Sequence, residues 1–210
     1  MMTDQQKQNG AIETRVRVLT WNIWWRYGPW ERRRAAIAAT LAGLDADVIA
    51  LQEVWGDETT NLAAELAMEL GYHHVFKSGM EREGIGFGNA LLSRWPIAQS
   101  DSTMLHGQQE TGEGRLALFA EIDGPRGRVP VFCTHLNWKY QHGHIRQRQV
   151  ADLARFVDRM RPWTFPPIVC GDFNADPGAE EIRMLTGLAA GPVDGVWPSD
   201  HHAVLAELRY

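Results

Sequence analysis

Cysteine is scarce in this 210-residue chain, with Cys133 and Cys170 as the whole complement. Two thiols exclude a small disulfide-stapled scaffold and fit a reducing compartment, so the cytoplasm is the expected location. Long apolar runs are missing too, and stretches such as Val48-Ile49-Ala50-Leu51 are far too short to cross a bilayer. The opening residues Met1 to Gly10 hold neither the basic nor the apolar part of a secretory signal. Residues 1–14 are therefore expected to form a flexible tail ahead of one domain over 15–210. Positive charge is not in excess either. The 21 Lys and Arg face 26 Asp and Glu, and a net charge of −5 gives no global pull toward nucleic acid or anionic membrane. There is no internal repeat, low-complexity tract or Pro/Ser-rich linker.

What remains is an ordinary globular composition, long enough to bury a sizeable core, with one oddity: four of its nine tryptophans lie between Trp21 and Trp30. The β-branched run 16–20 predicts a strand ending at Trp21-Asn22. Ala35, Ile37, Ala38, Leu41 and Leu44 predict a helix from Trp30 to Leu44. Residues 47–51 predict a strand buried on both faces. A helix is expected from about Asp57 to Leu70, with Gly71 as its stop. Strands follow over 73–77, 89–95, 97–105, 116–122 and 129–136, with a hairpin-like turn at Asp123–Gly127. Next come a helix from His144 to about Arg161 and a strand over 168–171. A short helix is then expected to open at Asp176-Pro177, Asp as cap and Pro in the first turn. An alternating strand over 202–208 ends the chain. Helices before and after a block of strands point to layered sheets flanked by helices.

Polar residues gather where these strands end. Asn22 follows the first and Gln52-Glu53 the second. His135 and Asn137 follow the strand with Cys133, Asp172 and Asn174 follow residues 168–171, and Ser199-Asp200-His201 precedes the last. Singly these are turn formers or solvated residues. Together they bring carboxylates (Glu53, Asp172, Asp200), amides (Asn22, Asn137, Asn174) and imidazoles (His135, His201) to one cleft. Such oxygen donors suit Mg²⁺ or Mn²⁺ rather than Zn²⁺. With histidines to bind phosphate oxygens or move protons, they fit hydrolysis of a phosphate ester by an activated water.

Leu19-Thr20-Trp21-Asn22-Ile23, Ile49-Ala50-Leu51-Gln52-Glu53-Val54, Thr134-His135-Leu136-Asn137, Gly171-Asp172-Phe173-Asn174 and Ser199-Asp200-His201 resemble, in order, the motifs of the endonuclease/exonuclease/phosphatase superfamily. Gly88-Asn89-Ala90-Leu91-Leu92-Ser93-Arg94 is a further segment typical of its members. The resemblance implies a four-layered α/β sandwich of two packed mixed sheets with helices outside. It makes Glu53 the principal metal ligand, with Asn22 beside it and Asp200 supporting the metal side. It places His135 and Asn174 on the scissile phosphate. Asp172 would orient or deprotonate the attacking water, or protonate the leaving group. His201 would act on the nucleophile or the transition state, while His202 reads as a surface residue. The implied partner is a phosphate ester, nucleic acid or a small phosphorylated molecule, with no membrane insertion.

The sequence departs from that pattern in one place. Residues 175–198 separate Asn174 from Ser199, whereas a helix, two strands and their connections need roughly 35 residues. No Asp-Tyr-Ile-Phe-like run is present, so a strand of the second sheet reads as deleted. Its family aspartate would have oriented His201, a task open to Asp194 or Asp176. The shortened second sheet carries a second functional reading, a catalytically weakened member acting as a binding or interaction protein, and an exposed edge could pair with a second copy.

Three further features admit two readings each. Cys133 and Cys170 lie on the same strand faces as His135 and Asp172, and are read as buried thiols in preference to a redox switch. Lys139, Arg146, Arg148, Arg155, Arg159 and Arg161 form a basic stretch, read as a solvated helix face before a phosphate-binding one. Trp24, Trp25, Tyr27 and Trp30 either cap the core or line the cleft.

Overall fold

A computed structural model describes residues 15–187 and the short strand Leu208–Arg209. Strands β1 (Arg15–Val16) and β2 (Val18–Asn22) lead to helix α1 (Trp30–Leu44) and strand β3 (Val48–Gly56). Helix α2 (Leu62–Leu70), strands β4 (His73–Arg82), β5 (Ile85–Ser93) and β6 (Ile97–Met104), and the one-turn α3 (Gln108–Thr111) follow. Strands β7 (Leu116–Gly124) and β8 (Gly127–His135), helix α4 (Gly143–Arg159), strand β9 (Ile168–Asp172), helix α5 (Glu180–Leu185) and β10 (Leu208–Arg209) complete the order.

The strands form two four-stranded mixed sheets, ordered β2-β3-β5-β4 and β6-β7-β8-β9, and β10 pairs antiparallel with β1. Each sheet holds one parallel pair, β2 with β3 and β8 with β9. In the parallel pairs both strands run toward the same end, and these ends carry the polar motifs. Hydrophobic parity builds the layers. On β3, Ile49 and Leu51 pack with Ile37 and Leu41 of α1 and Leu66 of α2, while Val48 and Ala50 face the other sheet. On the second sheet Leu118, Ala120, Val131, Cys133 and Cys170 face inward, and Phe119 and Phe132 pack under Val150, Leu153 and Phe156 of α4. The result is helix, sheet, sheet, helix, as the sequence resemblance implies.

Two expected helix starts move. The helix expected from Asp57 begins at Leu62, because the Asp57 carboxylate accepts the N–H groups of Thr59 and Thr60 and closes a turn there. Asn61 caps the helix instead, accepting from the Ala64 N–H at 2.8 Å. The Asp176-Pro177 start is likewise a turn, closed by Ala179 N–H to the Asp176 carbonyl at 2.9 Å, and α5 begins at Glu180. Strands β3 and β4 run longer than expected, to Gly56 and Arg82, while β5 ends at Ser93 instead of Trp95. The tail 1–14, the stretch 188–198 where a strand was expected to be missing and the motif at 199–201 lie outside the described residues, as does the expected last strand apart from its end.

Candidate active site

β3 carries the first functional device. Its pairing with β5 slips between Gln52 and Val54, and Glu53 sits in that bulge with φ of 57°. Parity alone would send Glu53 to the helix side with Ile49 and Leu51; the bulge turns it toward the strand end. A left-handed glutamate costs local backbone energy, which the closely packed β3 sustains. Gln52, by contrast, points inward as a core residue, donating to Thr20 Oγ1 and the Ala50 carbonyl.

Four predicted residues meet here, Asn22, His135 and Asp172 from strand ends and Glu53 from the bulge within β3. Asn22 Nδ2 donates to Glu53 Oε1 at 3.0 Å and to Asp172 Oδ2 at 2.9 Å, while its Oδ1 accepts from the Trp24 N–H. His135 Nε2 stands 3.7 Å from Asp172 Oδ2 and 4.0 Å from Glu53 Oε1. Burial holds the Glu53 carboxyl above its ordinary range, more than its hydrogen bond from Asn22 lowers it. Burial and the Arg115 charge hold the His135 imidazole well below its usual value.

Asp172 is delivered by a close strand approach. A Cβ on Gly171 would lie 2.0 Å from the Thr134 carbonyl oxygen, and its φ of +150° suits glycine alone. Asn174, at φ of 48°, donates its side-chain N–H to the Leu136 carbonyl at 2.9 Å and its backbone N–H to Asp172 Oδ1 at 3.0 Å. It borders the same cleft as Asn22 and Asp172. Asn137 does not join the cluster. It is fully buried and held by Gln149 and His142, which corrects its place among the cleft amides. Asp200 and His201 lie outside the described residues.

The aromatic segment divides. Trp30 packs edge-on against Trp55 at 5.6 Å, with Arg26 over both rings, and Trp25 packs on Phe87, so these two belong to the core. Trp24 and Tyr27 instead line a recess of about 280 Å³ that Glu53, Arg82, Arg115 and the exposed Trp138 also border. The basic stretch departs from the expected solvated face at Arg146, which is buried against Glu181, and keeps to it at Arg155 and Arg161, which are exposed and pair with Asp152 and Asp158.

Glu113 and Arg115 were not singled out from the sequence. Arg115 donates from Nε and Nη2 to Glu113 Oε2 at 3.0 and 2.9 Å, and from Nη1 toward His135 Nδ1 at 2.7 Å. An arginine between Gly-Glu-Gly and the apolar start of β7 was the signal the sequence held.

The profile of the endonuclease/exonuclease/phosphatase family matches residues 19–207. The chain belongs to that family. It is 29% identical to a putative neutral sphingomyelinase of Drosophila melanogaster, over 81% of this chain and 41% of that protein. It is 31% identical to the inositol phosphosphingolipids phospholipase C of Saccharomyces cerevisiae, over 78% of this chain and 37% of that protein. The chain thus spans less than half the length of these relatives. The human Nocturnin catalytic domain superposes with a TM-score of 0.69 at 24% identity, covering 82% of this chain and 68% of that domain, a likeness of fold.

Whether the cluster suits a cation can be read from its atoms. Glu53 Oε2 is buried with no hydrogen-bond partner, and an ionised carboxylate oxygen in that state needs a positive charge. Of its neighbours Asp172 offers carboxylate oxygens, hard donors that fit a divalent ion, whereas Asn22 and His135 turn nitrogens toward it. Among the described residues no group of three or more His, Cys, Asp or Glu is gathered to hold a metal ion unaided. Also among them, no helix is long and apolar enough to cross a membrane.

Proposed function

We propose that this chain hydrolyses phosphate esters with the help of a divalent cation, Mg²⁺ or Mn²⁺. Glu53 would hold the ion with Asn22 beside it and Asp200 on the same side. The unpartnered Oε2 of Glu53 is the observation that carries the reading, because it asks for a cation at the point where four motifs converge. A bound ion supplies charge neutralisation on the phosphate and a more acidic water. The chain's own residues supply the rest. Asn22 holds Glu53 and Asp172 in fixed relation. His135 and Asn174 contact the phosphate. Asp172 orients or deprotonates the attacking water, or protonates the leaving group, and His201 acts on the nucleophile or the transition state. The recess lined by Trp24, Tyr27 and Trp138 takes the organic group next to the phosphate.

Two relatives bear names of sphingolipid phosphodiesterases, so the substrate panel should include sphingomyelin beside an oligodeoxynucleotide and a phosphomonoester. Hydrolysis with Mg²⁺ or Mn²⁺, loss of it with chelator, and its abolition in Glu53→Gln are the expected results. Metal-independent activity, or full activity in Glu53→Gln, would sink the proposal. Binding of a panel member with no turnover would instead favour a weakened member that acts by binding.

A further inference from the structure

The contact between Arg115 and His135 constrains the chemistry of the imidazole more tightly than its place in the motif does. Arg115 is 5% exposed and His135 2% exposed, so water does not compete for the contact. A guanidinium has five N–H donors and no acceptor. The ring nitrogen 2.7 Å from Nη1, Nδ1 of His135, must therefore present its lone pair. A proton on Nδ1 would set two donors against each other at that distance. The proton of the neutral ring is left on Nε2, which faces Asp172 and Glu53 at 3.7 and 4.0 Å.

The surroundings fix Arg115 for this task. Glu113 Oε2 grips Nε and Nη2 together, leaving Nη1 to point at the histidine. The loop that delivers the pair turns on Gly112 and Gly114, both at φ of +62°, and a Cβ on Gly114 would lie 2.6 Å from Met80 Cβ. The Arg115 guanidinium also lies 5.8 Å from the Phe87 ring centre, and Phe87 packs 6.2 Å from the His135 ring.

We infer that Arg115 is a positioning residue that locks His135 in the Nε2–H tautomer and aims that N–H into the space between Glu53 and Asp172. His135 then has no nitrogen free to take a proton from water. Nδ1 is capped by Arg115 and Nε2 already carries its hydrogen, so His135 serves as a hydrogen-bond donor to a phosphate oxygen. The general base has to be sought elsewhere, with Asp172 the nearest carboxylate. The tautomer stands on geometry alone; the donor role toward phosphate rests on the hydrolase reading above.

Long-range ¹H–¹⁵N NMR correlation of ¹⁵N-histidine-labelled protein reads the tautomer directly, with His135→Gln assigning the resonances. In the wild-type protein at neutral pH, His135 should show an unprotonated Nδ1 and a protonated Nε2. Arg115→Met should bring an Nδ1–H signal into view, and Arg115→Lys, which again places donors only near Nδ1, should restore the wild-type pattern in part. On whichever panel ester is hydrolysed, kcat of Arg115→Met should fall roughly 100-fold, with KM little changed. A wild-type spectrum with Nδ1–H, or with both nitrogens protonated, would overturn the inference even if the Met variant fails to fold. An unchanged spectrum in folded Arg115→Met would overturn it equally. If the wild-type protein turns over nothing, the hydrolase reading fails, while the spectrum still decides the tautomer.

Discussion

Asn22 and Asp172 are 150 positions apart, one at the end of each sheet's parallel pair, and their side chains meet at 2.9 Å. The same amide nitrogen also serves Glu53, so one donor holds two carboxylates that would otherwise repel. Asn22→Ala should expose that repulsion. The expected loss is about 1–3 kcal/mol of stability, read by urea unfolding in chelator, and smaller when Mg²⁺ is added. Equal losses with and without the cation would separate Asn22 from the metal side.

Glu53 itself should show function opposed to stability. Its carboxyl is held above the ordinary range by burial, so the folded state takes up its proton more readily than the unfolded state. Ionisation therefore costs stability, beginning above the unfolded carboxyl value and complete above the folded one. In chelator, Glu53→Gln should unfold at higher denaturant than the wild-type protein at neutral pH. The advantage should shrink as pH falls through that window. A variant less stable than wild type in chelator would contradict this.

The thiols should be inert in the native protein. Cys133 is pushed up to about 12 by burial, and Cys170 lies buried beside it as its register partner. A raised value keeps the thiol protonated at neutral pH, and the thiolate is the reactive form. Mass spectrometry after alkylation should find neither cysteine modified natively and both modified in denaturant. Rapid native labelling of either would revive the redox reading.

Arg146 and Glu181 form a buried ion pair linking α4 to α5, and Arg146 also donates to the carbonyls of Asn137 and Lys139. Arg146→Met strands a buried carboxylate and should cost about 3–5 kcal/mol. Arg146→Met combined with Glu181→Leu should recover part of that in thermal unfolding. A double variant no better than the single would place the cost in the lost carbonyl contacts alone.

The layers were legible because parity and helical spacing are local: Ile49 and Leu51 against Val48 and Ala50 announce a strand buried on both faces. Asn22, Glu53, His135 and Asp172 were legible only together, since each alone reads as a turn former or a solvated residue while the set matches the family's motifs in order. The bulge at Glu53 was not, since its left-handed backbone is set by pairing with β5. Nor were the turns at Asp57 and Asp176, where a hydrogen bond closes a turn ahead of the helix. Arg115 could have been approached by counting back from the Gly124–Gly127 closure of the β7–β8 hairpin, which brings it level with the end of β8. No local pattern says that the histidine there needs a donor.

The cluster takes Asn22 and Glu53 from one sheet and His135 and Asp172 from the other. Whatever binds across it recognises only the assembled sandwich and has no counterpart in the unfolded chain, so by linkage its binding energy adds to folding stability. A melting curve thus becomes an assay that works before any substrate has been found. Candidate ions, inorganic phosphate and product-like phosphates can be ranked by how far each raises the midpoint, and substrates tried in that order.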